Sequence, residues 1–141
     1  MTPSERRQRT IKDERNKFDL LERTAVFGER IIIFVKKIPE NSVTKRLISQ
    51  LVGAGTSVAA NYHEADCAES RRDFEHKLGI SAKEANESKF FLRMISTAVP
   101  DLEEDARPLL QEAEELKLIF VTIIRKSSSK PNSRRESSFR N

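Results

Sequence analysis

The residues best suited to chemistry in this 141-residue chain gather in three places. His63, Glu64, Asp66 and Cys67 stand together, with His76 not far along, and His63 and Cys67 have the i, i+4 spacing that puts two ligands on one side of a helix end. Structural zinc wants four ligands rich in thiolate and imidazole. Cys67 is the only cysteine, so neither metal nor cofactor is expected, and Asn61 and Glu64 are read as helix-end hydrogen-bonding residues. Lys83, Glu84 and Glu87 form the second group. Glu84 and Glu87 are i, i+3, and Lys83 precedes Glu87 by four in the weaker orientation for a helical ion pair, which describes a solvated face or a polar helix contact. With no Ser-His-Asp pattern, phosphate loop or catalytic cysteine context, no catalytic residue is assigned and an enzyme is not expected.

The third group is basic. The net charge of +4 divides unevenly: residues 1–18 carry six Lys/Arg against three Asp/Glu, residues 125–141 carry six against one, and the stretch between them is net acidic. Domain organisation follows the same division, with a basic arm over 1–18, a folded unit over 19–126 and a disordered basic tail over 127–141. A single cysteine fits a reducing compartment, no run reaches the roughly 18 to 20 apolar residues that span a bilayer, and the expected address is cytoplasmic with no membrane partner.

The elements that hold these groups follow from apolar spacing. Leu20, Thr24, Phe27, Ile31, Phe34 and Ile38 step 4-3-4-3-4, and Asp19 with Glu22 reads as a capping box, so a first helix is expected over about 19–38, ended by Pro39. Ser42 caps a second helix to about 65, in which Leu47, Leu51, Gly55, Val58 and Tyr62 form a stripe. A glycine on that inward stripe predicts close approach of another backbone. Ser70 and Asp73 open a third helix over 70–99 with the seam Phe74, Leu78, Ser81, Ala85, Ser88, Leu92 and Ile95. Pro108, in a first turn, opens a fourth over 108–126. Folding helices two and three about residues 66–69 brings Gly55 near Ser81, Val58 near Leu78 and Tyr62 near Phe74. The expected fold class is all-α, an up-down-up-down antiparallel four-helix bundle. Ile32 and Ile33 on the first helix and Leu118 and Val121 on the fourth are apolar beyond the needs of one bundle, and are assigned to a subunit interface.

The stretch from Gln50 to Ala65, with Ser70-x-x-Asp73-Phe74-x-x-Lys77 and Lys83-Glu84-Ala85-Asn86-Glu87-Ser88-x-x-Phe91-Leu92, resembles the bacterial four-helix-bundle family of proteins encoded in intervening sequences of 23S ribosomal RNA genes. The likeness covers about 19–126. It implies a non-enzymatic bundle assembling into a ring-like homopentamer. It also implies kinship with the accessory proteins of diversity-generating retroelements, which bind nucleic acid and a reverse transcriptase. That family usually carries Arg where this chain has Gly53, commonly Arg at His63, and commonly Trp at Phe91.

In an up-down-up-down bundle the start of helix three and the end of helix four share one end. Arg71, Arg72, Arg125, Lys126, Arg134 and Arg135 therefore converge with the arm's Arg6, Arg7 and Arg9 into a basic pole, the expected site for RNA or DNA. The opposite end sets Lys36, Lys37, Lys45 and Arg46 against the acidic stretch Asp101 to Asp105. The alternative is a protein-interaction scaffold that binds no nucleic acid.

Overall fold

A computed structural model describes residues 1–131, apart from the side chains of residues 10–18. Among the described residues the chain is all-α, with α1 (Pro3–Val35), α2 (Thr44–Asp66), α3 (Arg71–Ala98) and α4 (Glu103–Ser128), a 3-10 turn at Pro100–Leu102, and no strand. The tail from 132 onward lies outside the described residues.

Three helix starts differ from the sequence expectation, each for a local reason. α1 begins at Pro3 instead of Asp19: the Thr2 hydroxyl accepts from the Glu5 amide, the Glu5 carboxylate accepts from the Thr2 amide, and Pro3 fills a position where its missing N–H costs nothing. The Arg, Lys, Glu and Gln of residues 5–17 are good helix formers, so the helix continues without an apolar stripe, and Asp19 and Glu22 lie inside it. At α2 the N-cap residue Val43 makes no side-chain cap bond, and Asn41, not Ser42, supplies the capping oxygen. Its side-chain oxygen accepts from the Val43 and Thr44 amides, each at 2.9 Å. The buried Thr44 hydroxyl accepts from the Asn41 amide at 2.9 Å and donates to the Pro39 carbonyl at 2.6 Å, locking the turn. α4 begins at Glu103, so Glu103, Glu104 and Asp105 make its first turn and complement the helix dipole there. Pro108 is inside the helix, where its ring removes one backbone bond from an exposed side. At α3 the expected cap is present, the Ser70 hydroxyl accepting from the Asp73 amide at 3.0 Å.

α1 packs on α2, α2 on α3 and α3 on α4, while α1 and α4 meet along a thinner contact. Cross-helix pairs run in opposite order along each neighbouring pair. Leu21 lies by His63 and Ile31 by Gly55. Lys77 pairs with Glu64 and Ser81 with Val58. Lys89 pairs with Glu114 and Arg71 with Lys130. Arg23 pairs with Glu112 and Lys37 with Asp105.

The heptad seams face inward. Phe27, Ile31, Leu51, Val58, Leu78, Leu92, Ile95, Leu116 and Phe120 are fully buried, each contributing roughly 1.5–3 kcal/mol relative to exposure. The tightest approach at Gly55 is to Ile31 of α1. A Cβ on Gly55 would stand 2.8 Å from Ile31 Cγ1, and one on Gly28 would stand 3.7 Å from the Gly55 carbonyl oxygen and the Thr56 Cα. Between α2 and α3, the buried Ser81 hydroxyl donates to the Val58 carbonyl at 3.1 Å, so Val58 is opposite Ser81 where Gly55 was expected. Tyr62 stacks on Phe120 of α4, ring centroids 5.9 Å apart.

Candidate nucleic-acid interface

The start of α3 and the end of α4 are tied to each other. Arg71 donates from Nη2 to the Lys130 carbonyl at 3.1 Å and from Nε to Glu75 Oε1 at 3.3 Å, and the Ser128 hydroxyl donates to that same Glu75 oxygen at 3.2 Å. Arg71 is thus a joint between two helix ends. Near the end of α2, His63 Nε2 lies 3.4 Å from the Leu21 carbonyl of α1. From there α1 continues back to Pro3, about 27 Å of helix at 1.5 Å per residue, with Arg6, Arg7 and Arg9 exposed on it.

Around the Arg71 joint, Arg72, Arg125 and Lys126 are exposed and have no ion-pair partner among the described residues. Two nearby acids are already engaged, Glu64 with Lys77 at 2.7 Å and Glu75 with Arg71. Cations left unpaired on a surface are available to phosphate. Arg134 and Arg135 fall outside the described residues, as do the side chains of Lys12, Arg15 and Lys17. At the opposite end the cations are partly matched, Lys37 to Asp105 at 3.5 Å and Arg107 to Glu104 at 3.2 Å.

The four apolar positions assigned to a subunit interface lie on different flanks. Ile33 is 60% exposed and borders a cleft of about 260 Å³ with Pro108 and Leu109, on the α1–α4 seam. Leu118 is 53% exposed and borders a second cleft on that seam, about 480 Å³, opposite Leu20 and Arg23. Ile32 is also exposed; it precedes Ile33 and so lies about 100° around the helix from it, one turn beyond Gly28 and its α2 contact. Val121 is half-buried and packs against the core.

Between the two clefts the seam is polar. Arg23 holds Glu112 with two donors, at 2.9 and 2.6 Å, and Glu115 with one, at 2.9 Å. The Arg23 hydrogen bond keeps the Glu112 carboxyl below its usual range. Burial leads at two other groups: Tyr62 is pushed up to about 12 by desolvation and then by Asp66, and Glu84 is raised by desolvation and then by Glu87. A phenol shifted in that direction stays protonated at neutral pH. Among the described residues no three His, Cys, Asp or Glu side chains gather closely enough to hold a metal ion, and no helix is long and apolar enough to cross a membrane.

Sequence reasoning passed over Phe90. It is 54% exposed on α3, beside Arg93. The signal was available, since Lys83, Phe90 and Thr97 recur at sevens on the side opposite the Leu78–Leu92 seam.

Comparison with known proteins gives two positive results. The family model described as 23S rRNA-intervening sequence protein matches residues 16–121. Among solved structures, a protein with unknown function from the S23 ribosomal protein family of Bacteroides thetaiotaomicron is 27% identical. The match covers 77% of this chain and 97% of that one, with a TM-score of 0.67. Among curated proteins nothing matches.

Proposed function

The chain belongs to the family of 23S rRNA-intervening sequence proteins, and from that membership we propose that it is a non-catalytic four-helix bundle that binds RNA or DNA through its basic pole. The observation that carries this reading is the set of exposed cations Arg72, Arg125 and Lys126 around the Arg71–Lys130 joint, none of them in an ion pair among the described residues, with Arg7 and Arg9 exposed on α1 beyond them. Cations of this kind release counterions from a phosphate backbone, so binding is electrostatic, weakly selective for sequence and strongly salt-dependent. The ribosomal RNA in the family's description makes RNA the first ligand to try.

The same proposal includes self-association. Ile33 and Leu118 expose apolar surface on the thinly packed α1–α4 seam, and that surface supports a homo-oligomer. A ring of like-oriented subunits, a pentamer by family resemblance, repeats the basic pole as an annulus facing one way. Such an annulus suits an accessory to a nucleic-acid enzyme such as a reverse transcriptase. The single Cys67, exposed and unbridged, fits a cytoplasmic setting.

The test is a titration of labelled RNA and DNA against the full chain, at about 50 and 200 mM salt. Binding at the lower salt that weakens steeply at the higher is the expected result. No binding at either salt defeats the reading and leaves the alternative, a protein-interaction scaffold built on the exposed α1–α4 seam. Light scattering checks the oligomer: a monomer at high concentration contradicts it, and Leu118→Glu is expected to weaken a true assembly without unfolding the subunit.

A further inference from the structure

The side of α3 turned away from the core is a second basic surface. Stepping alternately four and three residues from Arg72 to Thr97, it carries Arg72, His76, Gly79, Lys83, Phe90 and Arg93, with Asn86 between Lys83 and Phe90, and no position of this stripe is Asp or Glu. All six except Gly79 are exposed, and a Cβ at Gly79 would meet nothing within 4 Å, so the surface is open at its middle. Arg72, Lys83 and Arg93 have no ion-pair partner among the described residues. The flanking acids are Asp73, Glu75, Glu84 and Glu87, of which Glu75 is held by Arg71 and Glu84 feels the charge of Lys83, and Glu103 of α4 lines the groove beside Phe90.

Phe90 gives the stripe an aromatic surface. Its ring meets Phe91 edge-on, centroids 5.2 Å apart and planes at 76°, and the half-buried Phe91 packs against the core. Phe90 and Arg93 form one wall of a groove of about 390 Å³ between α3 and α4, with Arg107 and Leu110 opposite. An exposed ring beside guanidinium groups suits a nucleobase, which stacks on the ring while its phosphate meets the cation. From Arg72 to Arg93 the stripe runs about 32 Å at 1.5 Å per residue, long enough for several nucleotides of a single strand. A two-fold contact of this face with its own copy would instead set cation against cation.

We infer that the outer face of α3 is a track for single-stranded nucleic acid. The strand leaves the basic pole at Arg72 and runs down the helix, a base stacks on Phe90, and Lys83 and Arg93 take phosphates. The strand must be single because duplex bases are already stacked and cannot reach the ring. This inference rests on the nucleic-acid reading above and adds the strand form and the residues that select it.

The chain contains no tryptophan, so F90W places a lone fluorophore at the stacking position. Titrating the full-length variant with a 5′-labelled single-stranded RNA of about twelve nucleotides reads binding by anisotropy and stacking by tryptophan emission. The expected result is emission quenched in step with anisotropy. F90A should weaken single-strand binding about tenfold or more and leave binding of the matching duplex nearly unchanged, with an unaltered circular-dichroism melt as the control for folding. Saturating anisotropy with unchanged emission, together with wild-type affinity of F90A, overturns the track and leaves the basic pole standing. Emission that shifts with protein concentration in the absence of RNA also overturns it and assigns the face to subunit contact. If the unsubstituted chain binds neither strand form, the nucleic-acid reading falls and this inference falls with it.

Discussion

The α2–α3 seam and the α1–α4 seam are built from opposite materials. On α2 and α3, Ala54, Ser81, Ala82 and Ala85 are small and buried, the buried Ser81 hydroxyl is satisfied by the Val58 carbonyl, and the Lys77–Glu64 ion pair lies at the outer end of the contact. Between α1 and α4 the contact is thin, crossed by Arg23 to Glu112 and Glu115, with a cleft at either end and Ile33 and Leu118 exposed beside them. Close packing of small residues gives a seam that is complete within one chain. A seam of long charged side chains and uncovered Ile and Leu has surface left for something else. The difference locates stability on one side of the molecule and association on the other.

The largest expected effect contrasts leucines from the two sides. Leu78→Ala removes a fully buried side chain and should cost about 2–5 kcal/mol. Leu118→Ala, at a half-exposed position, should stay within about 0.5 kcal/mol. Thermal or denaturant unfolding at one fixed protein concentration checks both, and similar losses would erase the distinction between the seams.

Next come two glycines two residues apart. Gly55→Ala drives a Cβ to 2.8 Å from the buried, β-branched Ile31 and should cost a net of about 1–2 kcal/mol, overpacking outweighing the helix-propensity gain. Gly53→Ala meets nothing within 4 Å and should add up to about 1 kcal/mol of stability through propensity alone. Opposite signs in parallel melts are the outcome to look for.

The smallest effect is on the polar seam. The folded-state carboxyl of Glu112 is held below its unfolded value by Arg23. Its contribution is therefore present above the unfolded value near 4.5 and is lost as pH falls through the depressed one. With Arg23 about a third exposed, that contribution should be under about 1 kcal/mol. Glu112→Gln should flatten the fall in stability between about pH 5 and 3, and an unchanged pH profile would remove the pair from the account.

Much of this was legible in the sequence because apolar spacing reports the inward face directly. The seams through Phe27 and Ile31, Leu51 and Val58, Leu78 and Leu92, and Leu116 and Phe120 all point into the core. Helix starts were less legible, since several caps compete within a few residues. Asp19 looked like a start because an apolar stripe began there, while Thr2, Pro3 and Glu5 carried the actual cap. Asn41 and Thr44 outcompeted Ser42 by closing a turn around Pro39. The partner of Gly55 was illegible for another reason: spacing within one helix says which face is inward, not whether α1 or α3 fills the space above it. At the candidate site, Arg71 illustrates the limit of charge counting. Its position at the pole was readable, but its use in joining α3 to Lys130 depended on where α4 ends.

The cations around that joint are proposed to engage phosphate. That engagement is tested most directly by the salt dependence of single-stranded RNA binding, measured for the full chain and for the R72A/R125A/K126A variant. Removing three phosphate contacts should reduce the slope of log Kobs against log salt by about 2 and weaken binding across unrelated sequences alike. A variant that keeps both the slope and the affinity of the unsubstituted chain would contradict the account.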